Sequence, residues 1–297
     1  MSGGLDPRIT PARPDLAAAD LRDRVTADRY VEGRARQVVR DGAPLTFAPK
    51  ADARLESQLL YGEAFTVFED RDGWCWGQNQ FDSYVGYVPS AALSAEVHTP
   101  THQVAAPSLH LYSGPDMKRR TTGAISIGAL VRIVDVEGGF AQLASGEWVF
   151  AKHLVDLNYF NADLVGTALK LLGTPYLWGG RSARGLDCSA LLQLALLMAG
   201  ERAPRDSDML EAFAGEPVPI VDGHDFGNIE DGDMVFFPGH CGFFVHGWRF
   251  LHANAFDMEV SLHSFSDVID RADADGAGVT SIRRFSVSDD SSELPAT

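Results

Sequence analysis

The chain has 297 residues, 45% of them hydrophobic, enough for well-formed cores in two or a few small domains. Its 25 Lys and Arg stand against 41 Asp and Glu, and the net charge of −16 argues against any nonspecific hold on nucleic acid or an anionic membrane. The opening stretch Met1 to Arg8 lacks the basic patch and apolar run of a secretory leader, and no apolar run is long enough to span a bilayer, so the expected compartment is the cytoplasm. Three scattered cysteines, Cys75, Cys188 and Cys241, make no disulfide framework and fit a reducing environment.

Residues 1–39 carry Pro7, Pro11 and Pro14 and a mixed-charge stretch with helical propensity around Ala17 to Leu21; an arm packed on the body is expected. From 40 to 95 the pattern turns to short β-rich runs, Phe65 to Phe68, Trp74 to Trp76 and Tyr84 to Val88, broken by Asp72-Gly73. An internal repeat follows. Gly62, Gly73 and Trp74 recur as Gly128, Gly139 and Phe140, and Tyr87-Val88 and Leu93 recur as Trp148-Val149 and Leu154. The first copy holds about five extra residues between its third and fourth strands. Two tandem small β-barrels are expected, at 40–95 and 105–156, joined by the linker Thr99 to Pro107. Their glycine and aromatic pattern is similar to that of bacterial Src-homology-3-like domains.

From Asn161 the period becomes helical. Asn161 is expected to cap a helix whose apolar face is Leu164, Val165, Ala168, Leu171 and Leu172, with Gly173 ending it. Cys188 to Ala199 forms a second, almost wholly apolar helix, capped by Asp187 and stopped by Gly200. A short third helix starts at Asp208, capped by Ser207 or Asp206. Strands are expected at Met234 to Phe237, Gly242 to Val245, Arg249 to Ala253, Val260 to His263 and Ser281 to Phe285. Helices followed by antiparallel strands predict an α+β domain over 160–285. The polar residues 286–297 are expected to be disordered.

Cys188 opens its helix, where free amides and aligned peptide dipoles favour thiolate over thiol. The residue types leave two readings open, an attacking nucleophile or a small buried core residue. A nucleophile needs a base and a group to orient it. His240 and His252 lie in one hairpin, and loop parity decides whether they share a face. A three-residue loop Val245-His246-Gly247 makes them direct cross-strand partners, whereas a two-residue turn at His246-Gly247 puts them on opposite faces. His246 and His263 read as ordinary strand residues, Cys241 as buried on the face away from His240, and Cys75 as buried between Trp74 and Trp76. Cys188, His240 and His252 are also a possible zinc set, but no close-spaced ligand pair is present, so neither metal nor cofactor is expected.

Six stretches in order are similar to the successive motifs of NlpC-type cell-wall peptidases: Gly173 to Gly180, Asp187-Cys188-Ser189, Pro204 to Ser207, Gly232 to Phe237, Gly239 to Gly242 and Leu251 to Asn254. With the two barrels in front, the resemblance covers about residues 40 to 285 and points to the cytoplasmic gamma-D-glutamyl-L-diamino acid endopeptidases of murein recycling. It implies a multidomain chain, two Src-homology-3-like β-barrels followed by an α+β papain-like catalytic domain. Cys188 is then nucleophile, His240 base and His252 orienter, acting on a short murein peptide, L-Ala-gamma-D-Glu-diamino acid, with a free N-terminus.

The resemblance further implies that the first barrel closes the cleft and binds the free amine through an acid and a tyrosine, Glu56 and Tyr84, with Glu63 and Tyr87 as alternatives. It implies Arg205 and Ser207 for the D-Glu carboxylate, Asp206 for the amine, Asp187 and Ser189 lining the same pocket, and Tyr176 beside the oxyanion. Ala190 stands where the family usually has glycine, and Cys241 where it has valine or a similar apolar residue. Two other activities compete: a different acyl transfer on the same triad, as in an amidase or transpeptidase, and non-catalytic peptide or glycan binding.

Overall fold

The computed structural model describes residues 4–221 and 226–285; the expected disordered tail, 286–297, lies outside the described residues. The arm does not form the helix its composition favours. Ala17–Ala18 pairs in parallel with Tyr30–Val31, and only a single 3-10 turn, Ala19–Leu21, occupies the alanine-rich stretch. Packing overrides propensity there, because Leu16, Ala17, Ala18 and Leu21 are buried.

The first β unit is a seven-stranded antiparallel sheet with strand order Leu55–Leu59, Ala43–Thr46, Val85–Pro89, Trp74–Asn79, Ala64–Arg71, Arg34–Val38, Leu93–Ser94. It starts at Arg34, inside the stretch expected to be arm. The second unit reproduces the plan. Its glycines at 128 and 139 take the same left-handed backbone as Gly62 and Gly73, with φ of 84 and 84 against 81 and 83 degrees. Each copy ends in a short 3-10 turn, Ser90–Ala92 and Ala151–His153, leading into its last strand. The strands of the second unit divide into sheets of five and three. In neither unit does the strand order close on itself: where small barrels were expected, the first unit is one open sheet and the second is two. Each has its own apolar core, around Leu45, Phe65 and Val88 in the first and Leu109, Ile125 and Val149 in the second.

The third unit is mixed helix and sheet. Helix α1, Leu164–Leu169, is shorter than expected and is capped by Asp163, whose carboxylate accepts from Gly166 N; Asn161 instead accepts from Asp163 N and donates to Thr167. Helix α2, Cys188–Met198, is buried along nearly its whole length because it lies between α1 and the sheet. Helix α3 is Ser207–Phe213. The six-stranded antiparallel sheet runs Glu216–Val218, Ser281–Arg284, Met234–Phe237, His240–Val245, Arg249–Asn254, Glu259–Ser264. Helix α4, Phe265–Ala274, follows the last of the six-stranded sheet's hairpins and is additional to the expected elements. Among the described residues no helix is long and apolar enough to cross a membrane.

Candidate active site

Helix α2 begins at Cys188 because Asp187, in extended conformation, caps it by accepting from Ala190 N at 2.9 Å. The same carboxylate accepts from Gly179 N at 2.9 Å, fixing the preceding loop to the helix start. Arg205 completes this knot. Its Nη atoms lie 2.9 and 2.6 Å from the two Asp187 oxygens, Nη1 also donates to Ser189 Oγ, Nη2 to the Gly180 carbonyl, and Nε to Ser57 Oγ of the first sheet. Every guanidinium nitrogen is engaged and the side chain is 1% exposed. Arg205 therefore organises the helix start from behind; it does not face the cleft, contrary to a direct hold on a D-Glu carboxylate. Ser189 and Asp187 line the cleft while being tied to the same knot.

His240 and His252 do share a face, by a different loop from the one expected. Pairing of Val245 with Arg249 makes the loop His246-Gly247-Trp248, one residue further along, and Trp248 joins Gly247 in the left-handed region. Parity is preserved, so the histidines are diagonal neighbours rather than direct partners. Gly242 stands opposite His252, and a Cβ there would lie 2.8 Å from the His252 Cβ. That gap lets the rings meet, His240 Nε2 lying 2.7 Å from His252 Nδ1. His252 is buried, and burial, followed by the nearby charges of His240, His263 and Arg271, pushes its pKa down to about 2. It is neutral at working pH.

Cys188 is buried among apolar side chains, yet its pKa falls to about 5. The largest cause is a hydrogen bond from the Cys241 thiol; His240 adds a further hydrogen bond and its charge, together outweighing burial. Cys241 is buried, as expected, but it also bears on the charge state of Cys188, which the residue pattern did not suggest. Its own pKa is pushed well up, by burial first and by the neighbouring sulfur next, so it stays a thiol and acts as donor. Tyr176 also lines the cleft beside Cys188, and burial, then the Cys188 charge, raises its phenol to about 12, which leaves it a hydrogen-bond donor. Among the described residues no three His, Cys, Asp or Glu side chains are grouped to hold a metal ion.

The cleft, about 580 Å³, runs from Cys188 to the first β unit. Tyr84, from the loop after Trp74–Asn79, donates to Asp206 Oδ2 at 3.1 Å. Glu56, on Leu55–Leu59, faces the same cleft and is held by Arg54 Nε at 2.6 Å. Ser207, the first residue of α3, is also in the wall. Of the alternatives, Tyr87 reaches the cleft with its hydroxyl taken by Arg13, whereas Glu63 is buried away from it against Arg181. Arg8 is among the cleft residues to which the sequence assigned no role. Arg8 of the arm donates to Asp206 Oδ2, Asp208 and Asp6, each at 2.8 Å, and its carbonyl accepts from Val85 N, so the arm is stitched along the tyrosine-bearing hairpin.

A depressed-pKa cysteine at a helix start, a paired histidine beside it and donors nearby are the parts of a thiol peptidase. Comparison with known proteins gives the same class. Residues 173–273 match the NlpC/P60 family and residues 45–93 the bacterial dipeptidyl-peptidase Sh3 domain. The chain is thus a cysteine peptidase built from an SH3-type domain followed by an NlpC/P60 domain. It is similar to dipeptidyl-peptidase 6 of Lysinibacillus sphaericus, 26% identical over 76% of this chain and 89% of that protein. The gamma-D-glutamyl-L-lysine dipeptidyl-peptidase of Bacillus subtilis is 25% identical over 73% of this chain and 78% of that one. In fold, a crystal structure of an NlpC/P60 family protein from Bacillus cereus matches with a TM-score of 0.68, covering 84% of this chain and 99% of that one at 19% identity.

Proposed function

We propose that the protein hydrolyses the bond between gamma-D-Glu and the L-diamino acid of short murein peptides that carry a free N-terminal L-Ala, releasing the dipeptide. The observation that carries this reading is the layout of one cleft, with the activated Cys188 at one end and the Tyr84, Asp206 and Glu56 cluster of acceptors at the other. A buried ammonium needs a counter-ion and acceptors, and these three side chains supply both. The names of the relatives, which describe removal of a dipeptide, agree with an amine held at a fixed distance from the nucleophile.

In this mechanism the Cys188 thiolate attacks the gamma-carbonyl carbon, and the oxyanion is held by the Cys188 backbone N–H and the Tyr176 hydroxyl. His240, as imidazolium, gives its proton to the leaving amine. It then takes a proton from water as that water opens the thioester, which frees L-Ala-D-Glu and restores the thiolate. Ser207 is read as the neutral donor for the D-Glu carboxylate, with Ser189, whose hydroxyl donates to Asp187, lining the pocket beside it and Asp187 with Arg205 as support. Arg8 shares the Asp206 carboxylate and so closes the amine end of the cleft from the arm side.

The same reading divides the chain into an arm to residue 33, SH3-like units at 34–94 and 102–156 and a catalytic domain at 160–285. The second unit is taken as SH3-like on its strand-by-strand correspondence with the first. Three buried free cysteines favour the cytoplasm as the site of action. The test is incubation with L-Ala-gamma-D-Glu-L-Lys and its meso-diaminopimelate counterpart, each with a free and an N-acetylated amine. Release of the dipeptide from the free forms alone is expected, and equal cleavage of the acetylated forms would sink the amine-anchored reading.

A further inference from the structure

His252 uses both ring nitrogens. Beyond the contact with His240, its Nε2 lies 3.0 Å from Nδ1 of His263, on the neighbouring strand Glu259–Ser264. His263 Nε2 in turn lies 2.5 Å from Asp257 Oδ2, and Ser261 donates to the same carboxylate oxygen at 2.9 Å. His263 is therefore not an idle strand residue. Three imidazoles and a carboxylate stand in line behind Cys188.

A contact between two ring nitrogens holds one proton, so each link has a direction. Arg271, in the last turn of α4, sets it. Its Nη2 lies 3.2 Å from His263 Nδ1, and a guanidinium has protons to give and no lone pair to offer. His263 Nδ1 is thus the lone-pair nitrogen, and the His263 proton sits on Nε2, facing Asp257. His252 must then donate from Nε2. Because His252 is neutral, its Nδ1 is a lone pair, and His240 must donate from Nε2 in turn. In the neutral ring this leaves Nδ1 of His240, the nitrogen not held by His252, as the lone pair.

The geometry points to His263, Arg271 and Asp257 as positioning residues that fix the tautomer of both histidines behind the nucleophile, so that His240 keeps its proton on Nε2 and uses Nδ1 alone to gain and give up the catalytic proton. This rests on the reading of His240 as the base. The reverse order would put N–H on His240 Nδ1, unable to accept from Cys188. It would also turn an N–H of His252 toward the imidazolium, where an acceptor is required. The device extends the orienting role past His252 to a helix and a strand end that touch no substrate.

The experiment is a long-range proton–nitrogen NMR spectrum of the whole protein labelled with 15N-histidine, combined with kinetics of His263→Phe, His263→Gln and Arg271→Met. In the wild type, Nε2–H tautomers are expected for His252 and His263, and His240 should keep Nε2–H throughout, with Nδ1 protonated only in its imidazolium form. In His263→Phe, His240 and His252 should lose their single tautomer and kcat should fall about tenfold to hundredfold, less than the roughly 10⁴-fold loss when a direct orienter is reversed. KM should stay within about twofold, since no substrate contact is touched. His263→Gln, whose amide oxygen still accepts from His252, should restore most of kcat. An Nδ1–H tautomer at His240 or His252 in the wild type overturns the proposal, as does His263→Phe with unchanged kcat. If a variant fails to fold, the wild-type spectrum and the remaining variants decide. If the wild type cleaves no murein peptide, the substrate reading fails while the spectrum still judges the tautomers.

Discussion

The two β units share one strand plan and meet the catalytic domain with different balances of polar and apolar contact, although Leu60 of the first also joins the core around α2 and Ser126 of the second accepts from Ala183 N. The first approaches it with buried polar groups: Glu63 pairs with Arg181, Asp82 accepts from Gln193, and Ser57 accepts from Arg205. Its third and fourth strands are longer than those of the second unit and deliver Tyr84 to the cleft. The second unit presents mainly apolar surface. Ile127 joins the core around α2, and Gly128 lies against Leu194 and Leu197. Apolar contact holds pieces together without selecting an orientation for a ligand, whereas directional polar contacts place individual atoms. The repeat thus separates into one copy that selects and one that supports.

That division can be broken in several ways. The chemistry itself should be indifferent to both units, so Cys188→Ala is expected to lower kcat by about 10⁴-fold or more while peptide binding, followed by calorimetry, persists. Because Cys188 is held at about pKa 5, the thiolate is present above that pH and lost below it. Alkylation by iodoacetamide should rise through pH 5 and be near its plateau at pH 6, where an ordinary thiol would run roughly 300-fold below its own plateau. Rates still climbing above pH 8 would contradict the activated state.

The comparison is sharpest at the selecting end. Asp206→Asn or Tyr84→Phe should raise KM for the free-amine peptide about tenfold to hundredfold. His110→Ala, exposed on the second unit, should leave kcat and KM unchanged; a comparable effect there would erase the distinction. Conversely, Gly128→Val should act on stability. Its φ of +84 is left-handed and a Cβ would come within 2.7 Å of Leu197, so thermal melting should report a loss of about 1–3 kcal/mol with normal turnover in the folded fraction. The smallest effect is expected at Arg8. Its ion pairs are partly solvated, and it competes with the ammonium for Asp206, so Arg8→Ala should lower KM by only about two- to fivefold, and less in high salt.

Much of this was legible from residue order. The Asp187 cap, the cysteine-led helix, the left-handed glycine at 200 and the repeat were all local signals, and the structure contains each of them. The histidine hairpin was legible only as a parity condition. Its loop includes Trp248 in a left-handed conformation that no propensity favours, and the register moved accordingly. Helix α4 had a signal that went unused, Ser264 capping onto Asp267 N ahead of Phe265, Val268 and Ile269. Arg8 had none, since its partners Asp206 and Asp208 lie about two hundred positions away and nothing in its surroundings marks an arginine that crosses a cleft. The role of Arg205 was hidden for a related reason: an arginine beside an aspartate reads as a ligand clamp until its burial is known.

The Glu63–Arg181 pair, with Arg181 fully buried, carries a consequence for how such a chain can change over evolutionary time. Removing either partner strands a charge in the interior, where losses of about 3–5 kcal/mol are usual. Burial already outweighs Arg181 in setting the proton affinity of Glu63, so the seam has little slack. The front unit and the catalytic domain are therefore not interchangeable modules. A recombination event that swaps the front unit must bring an acid at that position or lose cooperative folding, and lineages with this joint are expected to inherit both parts together.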